Sequence, residues 1–269
     1  MVVFSAVSHM KERATIRNSW AREAAALSGV TVVFLVGKDD SYKAQYVQKQ
    51  LENEQAKYSD VLQEDFIDTY RNLTLKSVAL LGRVTRNCEG AGAGRCPRLV
   101  LKTDDDMFIN LAALWSLAQQ TTGKYVLLGA LICGSQLHPT NPKNKGFIPD
   151  NQFAGRAYPP FLSGTAYLMS RHTVVALHRA ARRHRTFLLE DVFVTGILAK
   201  EAGLKPQDHP GFSYRRRGLD LCSLRKTISN HGVTAKEMAQ MWKVLERSKE
   251  ESCPGGRGWA PRLHLTGDC

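Results

Sequence analysis

Residues 104–106 are three consecutive aspartates, and they are the densest chemical signal in the sequence. The apolar run Leu99-Val100-Leu101 leads through Lys102 and Thr103 into Asp104, Asp105 and Asp106, after which Met107 and Phe108 resume the apolar pattern. Adjacent carboxylates repel one another, and apolar flanks draw that repulsion towards the interior, where an unpaired charge is costly. A hard divalent cation held by oxygen ligands at a strand end relieves it; a solvated acidic turn is the plain alternative. A second acidic pair, Glu190-Asp191, follows Leu188-Leu189. It either favours a helix N-terminus or supplies a general base desolvated enough to have a useful pKa. His231, in Ser229-Asn230-His231-Gly232, is able to complete a metal shell, although a lone histidine is more often structural. Arg13 and Arg17 lie four apart, on one helix face, which suits a phosphate or plain exposure to solvent. Ser163-Gly164-Thr165 permits close backbone approach to a ligand, as any tight turn does.

The elements that must position these groups alternate in type. Continuous apolar or weakly alternating runs at 2–7, 31–36, 61–62, 99–102 and 125–133 read as strands. Helical spacing covers 11–27 (closed by Gly29), 41–58, 70–81 (closed by Gly82), 111–120, 173–183 and 191–202 (closed by Gly203). Residues 234–248 form a last amphipathic helix with Met238, Met241, Trp242 and Leu245 on one side. Residues 138–159, rich in Pro, Asn and Gly, read as a long irregular loop of the kind that lines substrates. Strands alternating with helices predict an α/β sandwich with a mainly parallel sheet, whose ligands sit at the carboxyl ends of strands. The aspartate triplet falls at such an end.

The chain has 269 residues and a net charge of +12 from 37 basic and 25 acidic side chains. The basic residues are dispersed apart from clusters at 182–185 and 215–217, and no RNA-binding signature or aromatic-interleaved basic helix accompanies them, so no nucleic-acid partner is expected. Six cysteines (88, 96, 133, 222, 253 and 269) without CxxC spacing disfavour zinc and favour an oxidising compartment, with a clip between Cys88 and Cys96 across the loop at 87–97. Asn72-Leu73-Thr74 is a glycosylation sequon. No apolar run approaches the roughly 18 residues that span a bilayer and no signal-peptide core is visible, so the chain reads as soluble or as a fragment. Walker, GxGxxG and GxSxG patterns are absent from the sequence.

Several blocks match one family in the same order: Arg13-Ala-Thr-Ile-Arg17-Asn-Ser-Trp20, Phe34-Leu-Val-Gly37, the stretch from Asp60 through Asp65, Tyr70 and Asn72 to Lys76, and Lys102-Thr-Asp-Asp-Asp106. Tyr158-Pro-Pro-Phe-Leu-Ser163-Gly164-Thr165-Ala-Tyr167, Glu190-Asp191-Val192 and Cys222-Ser-Leu-Arg-Lys-Thr-Ile-Ser-Asn-His231 follow. In these the chain resembles the β-1,3-galactosyltransferases of glycosyltransferase family 31. The resemblance implies a GT-A type fold, a three-layer α/β/α sandwich with a mixed, mainly parallel sheet. It implies one catalytic domain over 1–253, donor-binding in its first half and acceptor-binding in its second, with an irregular tail at 254–269. The implied reaction is an inverting transfer of galactose from UDP-galactose, with manganese, to a terminal N-acetylhexosamine of a glycoprotein or glycolipid. Asp106 and His231 would hold the metal and Asp191 would deprotonate the acceptor. Arg13, Arg17, Asp65, Lys76, Lys102, Asp104 and Asp105 would line the nucleotide-sugar side, and Ser163, Gly164 and Glu190 the acceptor side. The family also implies a Golgi lumenal, type II membrane setting, reached through an N-terminal anchor outside this chain. Leu162 stands where relatives often carry Cys, and Ala166 where Gly is common, so one family disulfide is not expected. Transfer of N-acetylglucosamine or N-acetylgalactosamine on the same fold is the alternative activity, and a non-catalytic glycan-binding relative is the alternative class.

Overall fold

The computed structural model describes residues 1–24, 26–90, 96–134, 157–247 and 253; most of the expected loop at 138–159 and the tail at 254–269 lie outside them. Strand β1 (Val2–Phe4) leads into α1 (Met10–Arg17) and α2 (Trp20–Ala24), followed by β2 (Val33–Lys38), α3 (Ala44–Tyr58) and β3 (Val61–Ile67). A 3-10 turn (Tyr70–Asn72) runs straight into α4 (Leu73–Gly90). Then come β4 (Leu99–Asp104), β5 (Phe108–Ile109), α5 (Leu111–Gln120), β6 (Leu127–Ile132), β7 (Phe161–Ser170) and α6 (Arg171–Ala181). A π-helix (Val192–Ile197) continues as α7 (Leu198–Glu201), before β8 (Gln207–Asp208), α8 (Leu221–Arg225), β9 (Ser229–Asn230) and α9 (Ala235–Arg247).

Seven strands form one sheet in the order β3-β2-β1-β4-β7-β6-β8, and β5 and β9 form a separate two-stranded ribbon. The pairs from β3 to β4 and the β6–β8 pair are parallel, while β7 runs antiparallel to both of its neighbours. Side-chain alternation divides the core between the two faces. Val3, Phe34, Val36, Leu101 and Leu168 pack with Ile16, Trp20, Leu114 and Met241 on one side. Val2, Phe4, Leu35, Val100 and Met169 pack with Leu80, Leu81, Leu177 and Phe193 on the other. The expected three-layer arrangement with a mixed, mainly parallel sheet is present.

Four local expectations change. The single helix over 11–27 is two helices: the Ser19 hydroxyl donates back to Thr15 O at 2.7 Å, and the break turns Trp20 inward, its Nε1 donating to Met107 O at 3.1 Å. Gly82 does not end the helix that begins near residue 70. A Cβ at Gly82 would stand 3.3 Å from His178 Nε2, so the glycine serves the crossing of α4 and α6. The strand near 61–62 extends to Ile67, because an edge strand with one polar face lacks the continuous apolar signature. Ser163-Gly164-Thr165 is no turn but the interior of β7, whose antiparallel partners lie on both sides.

Between α1, α3 and the edges of β1 to β3 lies a buried ion-pair cluster that runs from the segment after β1 to the residue before β3. Arg13 is fully buried, and every guanidinium N–H has an acceptor: Glu54, Ser5 Oγ, Ala6 O and Val7 O. Arg17 donates to Asp60 at 2.7 and 2.8 Å and to Glu54 at 2.7 Å, between the rings of Phe34 and Tyr58. Burial alone would raise Glu54, but hydrogen bonds from both arginines outweigh it and hold its carboxyl below the usual range. Removing one member of such a pair strands the other charge. Glu54→Gln is therefore expected to lose about 3–5 kcal/mol of unfolding free energy, read by urea denaturation. Because the folded pKa of Glu54 is lowered, its contribution is complete above pH 4.5 and vanishes as pH falls through the folded value. A loss under 1 kcal/mol would show that the cluster is not a structural support.

Candidate active site

The triplet begins where β4 ends. Phe4 of β1 pairs with Asp104, so the loop after β1 and the triplet share the same edge of the sheet. His9 Nδ1 meets Asp105 Oδ2 at 2.9 Å, joining the two. Asp105 hydrogen-bonds His9 and thereby raises the imidazole pKa, against the opposing effect of burial.

The β5–β9 ribbon brings in His231. Strand β5 starts two residues after Asp106 and β9 ends one residue before His231; Phe108 pairs with Asn230 and Ile109 with Ser229. Val233 N donates to Asp106 O at 3.0 Å, closing the ribbon around the site. His231 Nε2 stands 3.4 Å from Asp106 Oδ2, with the two side chains 38% and 50% exposed. The other ring nitrogen, Nδ1, lies 3.1 Å from Tyr214 O, which suits a protonated Nδ1. In the neutral ring that tautomer leaves the Nε2 lone pair for a metal ion, while in the imidazolium Nε2 donates to Asp106. The hydrogen bond with Asp106 raises His231, while the same contact holds Asp106 below the usual carboxylate range. An accessible carboxylate and an imidazole are donors that suit manganese, and the two stand side by side. Among the described residues no group of three or more His, Cys, Asp or Glu forms a closed metal cage. A cation here would complete its shell with water and ligand oxygens, as divalent ions on nucleotide phosphates do.

Lys102 connects this half to the other acidic pair. Its ammonium is buried, donates to Asp104 Oδ1 at 2.7 Å and to the Gly164 carbonyl, and lies 3.8 Å from Glu190 Oε2. Burial pulls the Lys102 pKa down, but Asp104 and Glu190 outweigh it and raise it, so the lysine stays charged. Glu190 is buried too, and its Oε1 accepts from Ser77 Oγ at 2.5 Å and from Tyr167 Oη at 2.7 Å. Burial raises its carboxyl pKa.

Asp191 is held differently. Its Oδ1 accepts from Val192 N at 2.9 Å and its Oδ2 from Gly164 N at 3.2 Å. Burial raises its pKa above the ordinary 3.8, although the Val192 and Gly164 amides work in the opposite direction. The residue stands at the N-terminal end of the π-helix, whose Thr195 Oγ1 donates to Asp191 O at 2.7 Å. This is not the α-helix expected over 191–202, and π-turns recur where a chain aims a functional group. Gly164 lets the strand pass close to both acids: a Cβ there would stand 3.2 Å from Glu190 Oε2 and 3.3 Å from Asp191 Cβ, and would press on both. Beside it, Ser163 is buried, with its Oγ 3.1 Å from Thr165 Oγ1.

The structure therefore brings together Lys102, Asp104, Asp105, Asp106, Gly164, Glu190, Asp191 and His231, with Ser163 next to Gly164. Arg13 departs from expectation, because its donors are all used internally and none remains for a phosphate. Arg17 is turned to Asp60, before the first residue of β3 and at the opposite end of the sheet from the triplet. Asp65 is exposed, paired with Lys38 at 2.6 Å. Lys76 lies under the site, bonded to Asp68 at 2.6 Å and to Ser5 O at 2.8 Å; burial lowers its pKa while Asp68, then Asp105 and Asp104, oppose that. In the sequon, Asn72 donates to Ile67 O at 2.8 Å and the Thr74 hydroxyl is buried against Phe187 O at 2.6 Å. The sequence pattern singled out neither His9 nor Ser77, while Asp68 sits unremarked in the block from Asp60 to Lys76 and Tyr167 closes the YPPF-containing block.

The sequence profile of the family described as Galactosyltransferase matches residues 11–210. The chain belongs to the galactosyltransferase family. Among curated relatives in this family, the mouse acetylgalactosaminyl-O-glycosyl-glycoprotein beta-1,3-N-acetylglucosaminyltransferase is 33% identical over 91% of the chain. The chain spans 64% of that relative's length. The human protein of the same name is 33% identical over 95% of the chain and 68% of its own length. Human beta-1,3-galactosyltransferase 1 is 28% identical over 94% of the chain and 76% of its own. Among solved structures, the apo form of the bifunctional glycosyltransferase WbbM aligns at 12% identity, with a TM-score of 0.46, over 93% of this chain and 51% of that one, too loose a fit to argue from.

In this galactosyltransferase-family site, the coupling of Asp106 and His231 is open to direct measurement. The imidazole of His231 is expected to titrate above 6.5 in two-dimensional NMR of the metal-free chain, and Asp106→Asn is expected to bring it down. An unchanged titration in the variant would show that the two side chains do not interact.

Proposed function

We propose that the chain transfers a hexosyl residue, galactose in the first instance, from a UDP-sugar to the 3-hydroxyl of a terminal N-acetylhexosamine, with inversion. The observation that carries this reading is the pairing of two unlike acidic centres through one buried lysine. Asp106 is half-exposed, has a lowered pKa and stands against His231; Asp191 has a raised pKa and is held by two backbone amides. An in-line displacement at a sugar carbon needs both: a cationic centre for the leaving diphosphate and a base on the opposite face.

Asp106 and His231 would hold manganese, which when bound stabilises the negative charge that grows on the diphosphate. Asp104 and Asp105, fixed by Lys102 and His9, present carboxylate oxygens to donor hydroxyls. Asp191 takes the proton from the attacking acceptor hydroxyl, and its raised pKa makes it a stronger base than an exposed aspartate. Glu190, locked by Ser77, Tyr167 and Lys102, keeps Asp191 and Gly164 in place. Disulfides at Cys88–Cys96 and Cys222–Cys253 support a lumenal, oxidising setting such as the Golgi; among the described residues no helix is long and apolar enough to cross a bilayer. A second reading, N-acetylglucosamine transfer, is favoured by the names of the two relatives at 33% identity.

Transfer assays with radiolabelled UDP-galactose and UDP-N-acetylglucosamine, each with N-acetylglucosamine and N-acetylgalactosamine glycosides, separate these readings. Activity is expected to require manganese and to disappear with a chelator. Asp191→Asn is expected to lower kcat by about a thousandfold, the scale of losing a general base. Protonated Asp191 cannot act as base, so the rate should fall as pH drops, with the acid limb centred above 3.8. If Asp191→Asn and Asp106→Ala both transfer at the wild-type rate, the assignment of the site is wrong; if the wild-type chain transfers neither sugar, the non-catalytic alternative stands.

A further inference from the structure

Strand β7 pairs with β4 only as far as Ala166, opposite Thr103, so the backbone amides nearer its start need other partners. The π-helix supplies two of them. Leu162 N donates to Thr195 Oγ1 at 2.8 Å, and Gly164 N donates to Asp191 Oδ2 at 3.2 Å. Thr195 is fully buried, and its hydroxyl passes the connection on by donating to Asp191 O at 2.7 Å. A second acceptor, Leu162 O, lies farther away at 3.2 Å, and one hydroxyl proton makes one strong bond at a time, so Asp191 O receives it. Asp191 is thus tied to β7 twice: by its carboxylate directly, and by its main chain through Thr195. Leu198 N reaches back five residues to Phe193 O, which makes the turn a true π-turn, a geometry that recurs at functional sites. Gly196 seats that turn on the strand, because a Cβ there would stand 3.2 Å from Phe161 Cβ and from Pro159 Cγ.

We infer that Thr195 is a positioning residue for the base: its hydroxyl fixes the main chain of Asp191, so that the carboxylate keeps both its bond to Gly164 N and its aim at the acceptor hydroxyl. The inference rests on the transferase reading above and adds to it a group that touches no substrate. A base must lie within hydrogen-bond reach of the proton it takes, and a misplacement of about 1 Å can cost a hundredfold in rate. Valine has nearly the shape of threonine but neither donates nor accepts. Thr195→Val therefore strands Leu162 N in the interior and releases Asp191 O. The carboxylate is then free to drift from Gly164 N, whose hydrogen bond opposes the effect of burial on Asp191. Losing that bond moves the carboxyl pKa further up.

The test compares the wild-type chain with Thr195→Val and Thr195→Ser, using UDP-galactose or UDP-N-acetylglucosamine, whichever is turned over, and an N-acetylhexosamine glycoside. Rates are referred to folded protein, measured by circular dichroism. Thr195→Val should lower kcat by about ten- to a hundredfold, the scale of a misplaced catalytic group, and should leave the donor and acceptor KM nearly unchanged. The acid limb of its pH–rate profile should move to higher pH. In chain carrying carboxyl-labelled aspartate, without substrate, Asp191 should titrate higher in Thr195→Val than in wild type, a readout that needs no turnover. Thr195→Ser, which keeps the hydroxyl, should recover kcat and both titrations. If Thr195→Val does not fold, Thr195→Ala, which removes the hydroxyl without replacing it, is read in the same way. A threonine that only supported the fold would lower the folded fraction and leave kcat and the titrations alone. A wild-type kcat and Asp191 titration in the variant lacking the hydroxyl, or a Thr195→Ser as slow as that variant, would therefore overturn the inference while leaving the transferase reading intact. A wild-type chain that turns over no UDP-sugar would overturn that reading, and the inference with it.

Discussion

A buried ammonium cannot be left without countercharge, and Lys102 is one. It sits where β4 and β7 lie side by side, so whatever neutralises it must come from both strands' surroundings. Asp104 comes from its own strand, the Gly164 carbonyl from β7, and Glu190 from the segment before the π-helix. Those three contacts fix the relative position of the aspartate triplet and the second acidic pair. Glu190 in turn is satisfied by Ser77 of α4 and Tyr167 of β7, so the electrostatic requirement of one lysine reaches the helix layer as well. Displacing any member leaves an uncompensated charge, which makes the arrangement rigid.

The small ribbon of β5 and β9 does for His231 what Lys102 does for Asp191. Two residue pairs are a slight structure, but they are anchored: Asn110 N donates to Ile228 O at 2.9 Å and Asn110 Nδ2 to Leu224 O at 3.0 Å. Asn230 exchanges hydrogen bonds with the backbone of Arg217, and the Arg217 side chain donates to Pro210 O and Phe212 O, which ties down the run that carries Tyr214. The carbonyl that orients the imidazole is thus itself held from behind.

How much of this was legible in the sequence follows from the range of the interactions. The strands at 31–36 and 99–102 announced themselves because burial on both faces demands unbroken apolar runs. The triplet was legible because its repulsion is local. Strand β7 was not, because Ser163, Gly164 and Thr165 satisfy the composition of a turn, and only pairing on both sides makes them strand. Arg13 looked like a surface arginine or a phosphate ligand, because Glu54, on a different helix 41 residues away, leaves no trace in the local pattern. Tyr167 and Ser77 belong to the site only through Glu190, a partner 23 residues from one and 113 from the other. The resemblance to a family supplied Asp191 and His231 together, which local chemistry had offered only as separate options.

The buried and exposed charges are layered, and the layering has a physical sense. Arg13–Glu54, Lys76–Asp68 and Lys102–Glu190 are out of water and paired within the protein, while Asp106 and His231 keep much of their surface in solvent. A group that must exchange water for a charged ligand has to be hydrated beforehand, or its own desolvation would be added to that of the ligand. A group that must hold geometry gains from the low dielectric that strengthens its hydrogen bonds. Asp191 lies at the boundary: buried enough for its pKa to rise, and held by backbone amides in place of a cation, which would have suppressed its basicity. A lysine in direct contact with Asp191 would have held the carboxylate firmly but made it a poor base. Lys102 is spent on Asp104 and Glu190 and lowers Asp191 less than burial raises it, so it can order the site while leaving Asp191 able to take a proton.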